Sequence, residues 1–191
     1  MLHIPHLYDA VSLQHFAAAE ALGSLKLIHA SAGPACWTEG VAREVDRAAA
    51  NGNDCCISVQ ECVWLGTPLA ADEGVATLIA IIGLQVALGD HRRHTGEAES
   101  IHIAMSLKAV FVTDDGVAHH FAQQKLGRRY VLDTCDVLAD GVHRGIVTAR
   151  EASDIACAVS DAGRHLRRGR PRHPGHTYFE TLAMEIDLDG S

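Results

Sequence analysis

Short apolar runs alternate with longer segments of helical periodicity along most of the chain. The runs "HIPHLYDA" and "AVFVT", at residues 3–10 and 109–113, have the length and residue content of buried strands. The segment 34–52 instead places Val41, Val45 and Ala48 on one helical stripe. This alternation predicts a single-domain α/β fold with a central parallel sheet of about five strands and helices on both faces.

The pattern assigns an approximate position to each element. Ser12 is the predicted N-cap of the first helix and Gly23 its end, and Asn51-Gly52 closes the helix that carries Glu44. The predicted strands are residues 3–9, 25–31, 55–65, 109–113 and 128–134, and the predicted helices are residues 12–23, 34–52, 71–88, 96–108, 115–127, 135–145 and about 148–166.

The longest apolar stretch runs from Gly74 to Gly89 and contains Gln85. It is shorter than the roughly 18 apolar residues that span a bilayer, so it is predicted to form a buried helix. The first ten residues lack a basic region followed by an apolar core, which disfavours a secretory signal. We therefore expect a cytoplasmic protein without membrane association.

The length of 191 residues suits one well-buried core. We expect a folded domain over residues 1–166 and a C-terminal tail over residues 167–191, which is basic first and acidic last. Charged runs of this kind are usually solvated and flexible, so this interpretation of the tail is favoured. The formal net charge of −8 argues against a protein that coats nucleic acid by bulk electrostatics.

Cysteine and histidine spacings give little support for a zinc or disulfide framework. The 6 cysteines lack paired CxxC spacings, and a chain of this size does not need disulfides, so reduced thiols are expected. "HRRH" (91–94) and "HPGH" (173–176) have an HxxH spacing that suits zinc. Because no third and fourth soft ligand lies nearby in the sequence, solvated histidines are the favoured interpretation.

Four acidic residues occupy positions from which they could share a cation. Asp9 and Asp115 end predicted strands, Glu97 begins a helix, and Glu44 lies on the shoulder of a buried helical stripe. The carboxyl ends of parallel strands meet at one rim, where open α/β sheets build their sites. Clustered carboxylates repel one another unless a hard divalent cation such as Mg²⁺ or Mn²⁺ neutralises them. Such a site suits phosphodiester hydrolysis, because the cation activates water and stabilises charge on phosphate.

Each acidic residue also has a structural interpretation, and the sequence leaves both open. Asp114 or Asp115 can cap the following helix, because aspartate accepts hydrogen bonds from free N–H groups. Glu97 and Glu99 can complement a helix dipole, and Glu44 can be one solvated charge among several on its helix.

The segment from "GEAESIHIAMSLKAVFVTDD" to "VHRGIV" (96–147) resembles the C-terminal half of PIN-domain proteins, which include VapC-type toxins and a PIN-like group with a "GEAEAI" helix. "YDAVSLQHF" and "TEGVAREV" are similar to the family's first acidic strand and its helix with an inward glutamate. The resemblance covers roughly residues 5–150 and implies a PIN-like fold. It implies the metal ligands Asp9, Glu44, Glu97 and Asp115, with Asp114 and Glu99 as neighbours that can substitute and Thr113 beside the last acid.

The chain departs from this family at two positions. The family has Ser, Thr or Asn two residues after its first aspartate, whereas this chain has Val11, with Ser12 one residue later. Asp133-Thr134 stands where the related group has Gly-Thr, which adds an acid at the same rim. The first departure puts the positioning of a metal in doubt.

The resemblance implies a Mg²⁺- or Mn²⁺-dependent endoribonuclease that uses water as its nucleophile. It also implies a homodimer, with an antitoxin protein as a further partner if the chain is a toxin. RNA would contact basic surface such as "HRRH" or the segment 164–173. The alternative is a weakly active or inactive PIN-fold interaction module, acting as a subunit of a larger assembly, which Val11 and the net negative charge favour.

Overall fold

The protein is an α/β fold with one parallel sheet, seen in a computed structural model that describes residues 4–89 and 94–189, with side chains to residue 186. Four strands form the sheet in the described part, in the order β2-β1-β3-β4. Their bounds are β1 (His6–Tyr8), β2 (Ala35–Cys36), β3 (Val110–Val112) and β4 (Val131–Leu132). The predicted single-domain α/β class is compatible with this architecture, while a fifth strand is not seen in these residues.

Helices connect and cover the strands. In the described part of the chain they are α1 (Ala10–Ala18), α2 (Leu22–Ala32), α3 (Glu39–Ala50), α4 (Asp54–Gln60), α5 (Val75–Ala87), α6 (Thr95–Leu107), α7 (Gly116–Leu126), α8 (Thr134–His143), α9 (Ala149–Asp161) and α10 (His176–Asp189). Two short 3₁₀ turns lie at Val63–Leu65 and Arg128–Tyr130.

The strands are buried on both faces, as parallel strands covered by helices usually are. Leu7 and Phe111 point to one face, where they pack with apolar residues of α6 and α7. Tyr8 and Val112, one residue later in each strand, point to the opposite face and pack with α1, α3 and α8. The period of two along a strand therefore divides the core into two layers.

Two of the predicted strands are wrong. Residues 25–31 lie in α2, where Leu25, Ile28 and His29 are buried with the spacing of three and four that one helix face requires. Residues 55–65 form α4 and a 3₁₀ turn, because Asn53 caps that helix and its side chain accepts the Cys56 N–H at 3.3 Å. The strand β2 instead occupies residues that were predicted to begin a helix.

The first helix also begins and ends elsewhere than predicted. Asp9, rather than Ser12, is the N-cap of α1, and its carboxylate accepts the Ser12 N–H at 2.6 Å. The helix ends at Ala18, and Gly23 lies inside α2 instead of terminating α1. The first acidic residue of the chain therefore has a capping function in the fold.

The C-terminal segment packs on the domain and is not a solvated tail. Phe179 of α10 is fully buried, and α10 packs against α8 and α9. The Arg167 N–H donates to Asp114, and the Ser160 hydroxyl donates to the backbone carbonyl of Arg172. The flexible interpretation of this basic segment is therefore wrong for the residues that make these contacts.

Helix α5 is predicted to be buried, but in the structure only the face that packs on α6 is buried. Leu84 and Gln85 turn toward α6, but Ile79 and Ile82 are 64% and 55% exposed. No helix in residues 4–89 and 94–189 is long and apolar enough to cross a bilayer. The outer face of α5 is thus an apolar surface exposed to solvent in the single chain.

The burial of Phe179 predicts that α10 contributes to the stability of the whole domain. Phe179→Ala should lower the free energy of unfolding by about 3–5 kcal/mol, because a large buried ring is replaced by a cavity. Met184→Ala on the same helix, where the side chain is 67% exposed, should change it by less than about 0.5 kcal/mol. Urea denaturation measures both, and equal stability of the two variants would show that α10 is dispensable.

Candidate metal centre

The candidate site lies at the rim where β1 and β3 end. These strands pair in parallel, with Tyr8 opposite Val112, so the residues that follow them emerge side by side. The Asp9 N–H donates to the Val112 carbonyl at 3.1 Å, which extends the pairing by one residue. The sheet therefore brings Asp9 next to the segment 113–115, as the sequence predicts.

Asp9 is buried and engaged by protein donors. One carboxylate oxygen accepts the Ser12 N–H, and the other accepts the Thr113 hydroxyl at 2.5 Å. Burial raises the pKa of Asp9 to about 7, the charge of Asp114 adds to this shift, and the two hydrogen bonds oppose it. Ionised Asp9 is therefore electrostatically costly in the protein without a cation.

Thr113 connects Asp9 with Asp115. Its hydroxyl donates to Asp9 and accepts the Asp115 N–H at 3.2 Å. Asp115 caps α7, because its Oδ1 accepts the N–H groups of Val117 and Ala118, both at 2.8 Å. The capping interpretation of Asp115 is thus confirmed, and the cap uses one oxygen of a half-buried carboxylate.

Asp114 has a different environment from its neighbour. Its Oδ2 accepts the hydroxyls of Ser12 and Thr134, and its Oδ1 accepts the Arg167 N–H. His15 Nδ1 lies 3.3 Å from the same carboxylate. Burial alone would raise the pKa of Asp114, but the hydrogen bond and charge of His15, together with Thr134 and Ser12, lower it overall. The lowered pKa shows that protein donors already stabilise the charge of Asp114, unlike that of Asp9, so Asp114 is poorly suited to replace Asp115 as a metal ligand.

Glu44 and Glu97 approach the same rim from α3 and α6. Glu44 Oε1 accepts the Gly96 N–H at 3.1 Å. Burial first, and then the charge of Glu97, raise the pKa of Glu44 to about 7. Burial likewise raises the pKa of Glu97, and the charge of Asp115 adds to that shift. Glu97 therefore raises the pKa of Glu44, and Asp115 that of Glu97, although no three of the four predicted ligands place ligand atoms within 4.8 Å of one another.

One oxygen of Glu97 is buried without a partner. Glu97 Oε2 has no hydrogen bond within the described part of the chain, although its side chain is only 12% exposed. His94 Nδ1 lies 3.5 Å from the other oxygen and is itself without a hydrogen bond there. A buried carboxylate oxygen without a donor is electrostatically costly.

Glycines allow α3 and α6 to approach closely at this site. A Cβ atom at Gly96 would lie 2.8 Å from Glu44 Oε1, and one at Gly40 would lie 2.3 Å from Glu99 Oε2. Both distances are too short for carbon and oxygen, so neither position accepts a side chain without a shift of the carboxylate. The motifs "TEG" and "GEAES" thus specify glycines where carboxylates fill the space between helices.

Glu99 differs from Glu97 because it has a cationic partner. Arg43 donates to Glu99 Oε2 at 3.2 Å, and the glutamate is largely buried. Burial raises the pKa of Glu99, while the charge of Arg43 opposes the shift. Glu99 therefore joins α6 to α3 as one half of an ion pair, and its predicted role as a substitute ligand has no support from these contacts.

A second cluster of possible metal ligands lies at the start of α8 and on α7, and the sequence pattern does not predict it as a group. His119, Asp133 and Asp136 place ligand atoms within 4.8 Å of one another, the one such group in the residues described. Arg167 donates to Asp133 at 2.5 Å, and Arg170 bonds both aspartates. Burial and the charge of Arg167 lower the pKa of His119 to about 4. The guanidinium groups already supply the positive charge, so this is a weak cation site, and only Asp133 was visible beforehand as an additional acid at the rim.

Of the two HxxH motifs, only "HPGH" lies wholly within the described part of the chain. Residues 91–93 of "HRRH" lie outside the described part of the chain. In "HPGH", the exposed His173 contacts Asp161 at 3.0 Å.

Comparison of the chain with protein-family models, curated proteins and solved structures finds no significant match. Functional inference therefore depends on the geometry of the rim and on the resemblance of the motifs.

The raised pKa of Glu44 predicts how stability depends on pH in the absence of metal. The folded protein holds this proton more tightly than the unfolded chain, where the glutamate pKa is about 4.3. The resulting stabilisation is complete below that value and is lost as the pH rises through about 7. In EDTA, the melting temperature of the wild type should therefore fall relative to that of Glu44→Gln between pH 5 and pH 8.

Glu39→Gln provides the matched control, because Glu39 lies on the same helix and is 53% exposed. Its melting temperature should follow that of the wild type over the same pH range. If the melting temperatures of the wild type and Glu44→Gln changed with pH in parallel, ionisation of Glu44 would have no cost in the folded protein.

Proposed function

We propose that the protein is a Mg²⁺- or Mn²⁺-dependent PIN-type endoribonuclease whose cation is held by Asp9, Glu44, Glu97 and Asp115. The observation that carries this proposal is the buried, unpartnered Oε2 of Glu97, located where two other acids raise the electrostatic cost of ionisation. A buried carboxylate oxygen in a folded protein rarely lacks a hydrogen-bond donor. A hard divalent cation satisfies the oxygen and removes the repulsion at the same time.

The distribution of positive charge supports this assignment. Asp133 and Glu99 are paired with arginine, and Asp114 accepts donors from three parts of the chain. No lysine or arginine of the described ranges forms an ion pair with the four proposed ligands. Within the described ranges, the surrounding acids are thus paired with cations or donors, whereas Glu44 and Glu97 receive only partial compensation, from Arg47 and His94.

The residues of the chain have distinct tasks in this proposal. Thr113 fixes the Asp9 carboxylate from one side and the backbone of Asp115 from the other. The Gly96 N–H holds Glu44 against the start of α6, beside Glu97. When bound, the cation lowers the pKa of an attacking water and stabilises charge on the phosphate. The caps made by Asp9 and Asp115 keep both carboxylates in position before the cation arrives.

RNA would contact basic residues near the C-terminal segment. Arg167 and Arg170 are occupied by aspartates, but Arg168 and Arg172 have exposed side chains. These two arginines are the proposed contacts for flanking phosphates, in agreement with a local interaction by a chain of net charge −8. An antitoxin partner, and a cytoplasmic location, remain part of the same proposal.

A second candidate is the weakly active or inactive interaction module. Val11, in the first turn of α1, is an exposed apolar residue where the family resemblance calls for a hydroxyl or amide. The nearby Ser12 does not replace that group, because its hydroxyl donates to Asp114. This observation favours weak metal positioning, so metal binding and cleavage are tested separately.

Metal binding should appear as thermal stabilisation of the purified protein. Millimolar Mn²⁺ or Mg²⁺ should raise the melting temperature of the wild type, because an ion that binds only the folded state stabilises it by mass action. Glu97→Gln should reduce this shift, whereas Glu99→Gln should retain it, since Glu99 is paired with Arg43. The absence of a shift in the wild type would favour the interaction module, and its loss in Glu99→Gln would place the ligand two residues further on.

RNA cleavage distinguishes a ligand at Asp115 from a cap alone. Asparagine caps a helix as well as aspartate does, so Asp115→Asn should keep the fold and its circular-dichroism melt. The change removes a charge from the cation, and it should abolish Mn²⁺-dependent cleavage of a mixed RNA substrate. Glu39→Gln serves as the surface control, while Asp114→Asn is unsuitable because it disturbs a buried network. Cleavage by Asp115→Asn at the wild-type rate would leave capping as its only role.

A further inference from the structure

The outer face of α5 is an apolar stripe without a partner in the single chain. Val75, Ile79, Ile82 and Val86 are 72%, 64%, 55% and 64% exposed. They follow one another at intervals of four, three and four residues, which is the seam spacing of a coiled coil. No charged residue occurs from Val75 to Gly89, and helices that are apolar on all sides are normally covered.

The spacing of the stripe reads the same in both directions, so two antiparallel copies of α5 present matching residues to each other. About an axis that passes between residues 80 and 81, Val75 faces Val86 of the second copy, and Ile79 faces Ile82. The same operation sets Leu78, which is 52% exposed, against Gly83. A Cβ atom built at Gly83 meets nothing within 4 Å, so there is room for the leucine of the second copy.

We propose that the outer face of α5 is a two-fold symmetric, antiparallel interface between two copies of this chain. A two-fold axis requires a self-complementary surface, and the order of the stripe provides one. Burial of this face on both copies would remove roughly 1,000 Å² of surface, the size at which specific interfaces begin. Antiparallel pairing also opposes the two helix dipoles, and the absence of charge on the face leaves no like-charge repulsion.

The position of α5 in the fold is compatible with this role. Its inner face packs on α6, and Gln85 donates to Thr95 at 3.0 Å, which fixes the start of α6. The stripe lies on the face of α5 opposite to this contact, and none of its residues belongs to the proposed cation site. Dimerisation through α5 is independent of the proposed function, because no metal ligand belongs to the stripe.

A charge exchange tests both the interface and its direction. Ile79→Lys and Ile82→Asp should each turn the dimer into a monomer, because each places a charge opposite an isoleucine. The double variant Ile79→Lys/Ile82→Asp should restore the dimer, because each introduced lysine then faces an introduced aspartate of the second copy. A parallel pairing would set like charges together and remain monomeric. Sedimentation equilibrium over a range of protein concentrations measures the mass, and circular dichroism verifies the fold of each variant.

Val63→Lys is the control, since Val63 is 90% exposed and lies outside α5. It should leave the wild-type dimer unchanged at twice the chain mass. A monomeric wild type, or single variants that remain dimeric, would overturn the interface. Monomeric single variants without restoration in the double variant would overturn the antiparallel register.

Discussion

The buried carboxylate of Asp114 joins four parts of the chain that are distant in sequence. It accepts hydrogen bonds from Ser12 on α1, from Thr134 at the start of α8 and from the backbone of Arg167, and His15 contacts it at 3.3 Å. A charge at this depth persists only where donors replace water. Their number keeps its pKa below the ordinary value, despite burial, and fixes the helices around the end of β3.

Asp114 and Asp115 show how adjacent residues of one type acquire different properties. Past the end of β3, one carboxylate turns into the core, where serine and threonine hydroxyls surround it, and the other turns to the start of α7. Both oxygens of the Asp114 carboxylate accept hydrogen bonds from the protein, whereas Asp115 has one oxygen that takes no part in the helix cap. The same contrast separates Glu99, which is paired with Arg43, from Glu97, one oxygen of which has no hydrogen bond to the residues described.

Elements whose sequence and environment agree could be predicted, and those shaped by tertiary contacts could not. β3 and α7 were recognised because a fully apolar run ends at two acids that a helix then follows. Residues 25–31 were misassigned because a short apolar run fits either period, and the burial that decides between them depends on α8 packing against α2. β2 is two residues long and exists only because β1 pairs with it.

The sequence predicts which acids emerge at the rim of the sheet, but it does not predict which acids are paired with arginines. Parallel strands fix where Asp9 and Asp115 emerge, so their proximity follows from the order of the elements. Which acids receive arginines depends on the C-terminal segment, whose residues Arg167 and Arg170 reach Asp133 across more than thirty positions. A run of arginines resembles a solvated tail until such partners are known.

Departures from local consistency in a folded chain tend to mark functional surfaces, and the rim acids and the outer face of α5 are both of this kind. Burial raises the pKa values of Asp9 and Glu44 at the rim, and the exposed stripe of α5 forgoes the stabilisation that burial would give. Both features are near α6, which carries Glu97 in its first turn and packs against α5. The first surface calls for positive charge and the second for apolar contact. The proposed cation and the proposed second copy would meet these two requirements independently.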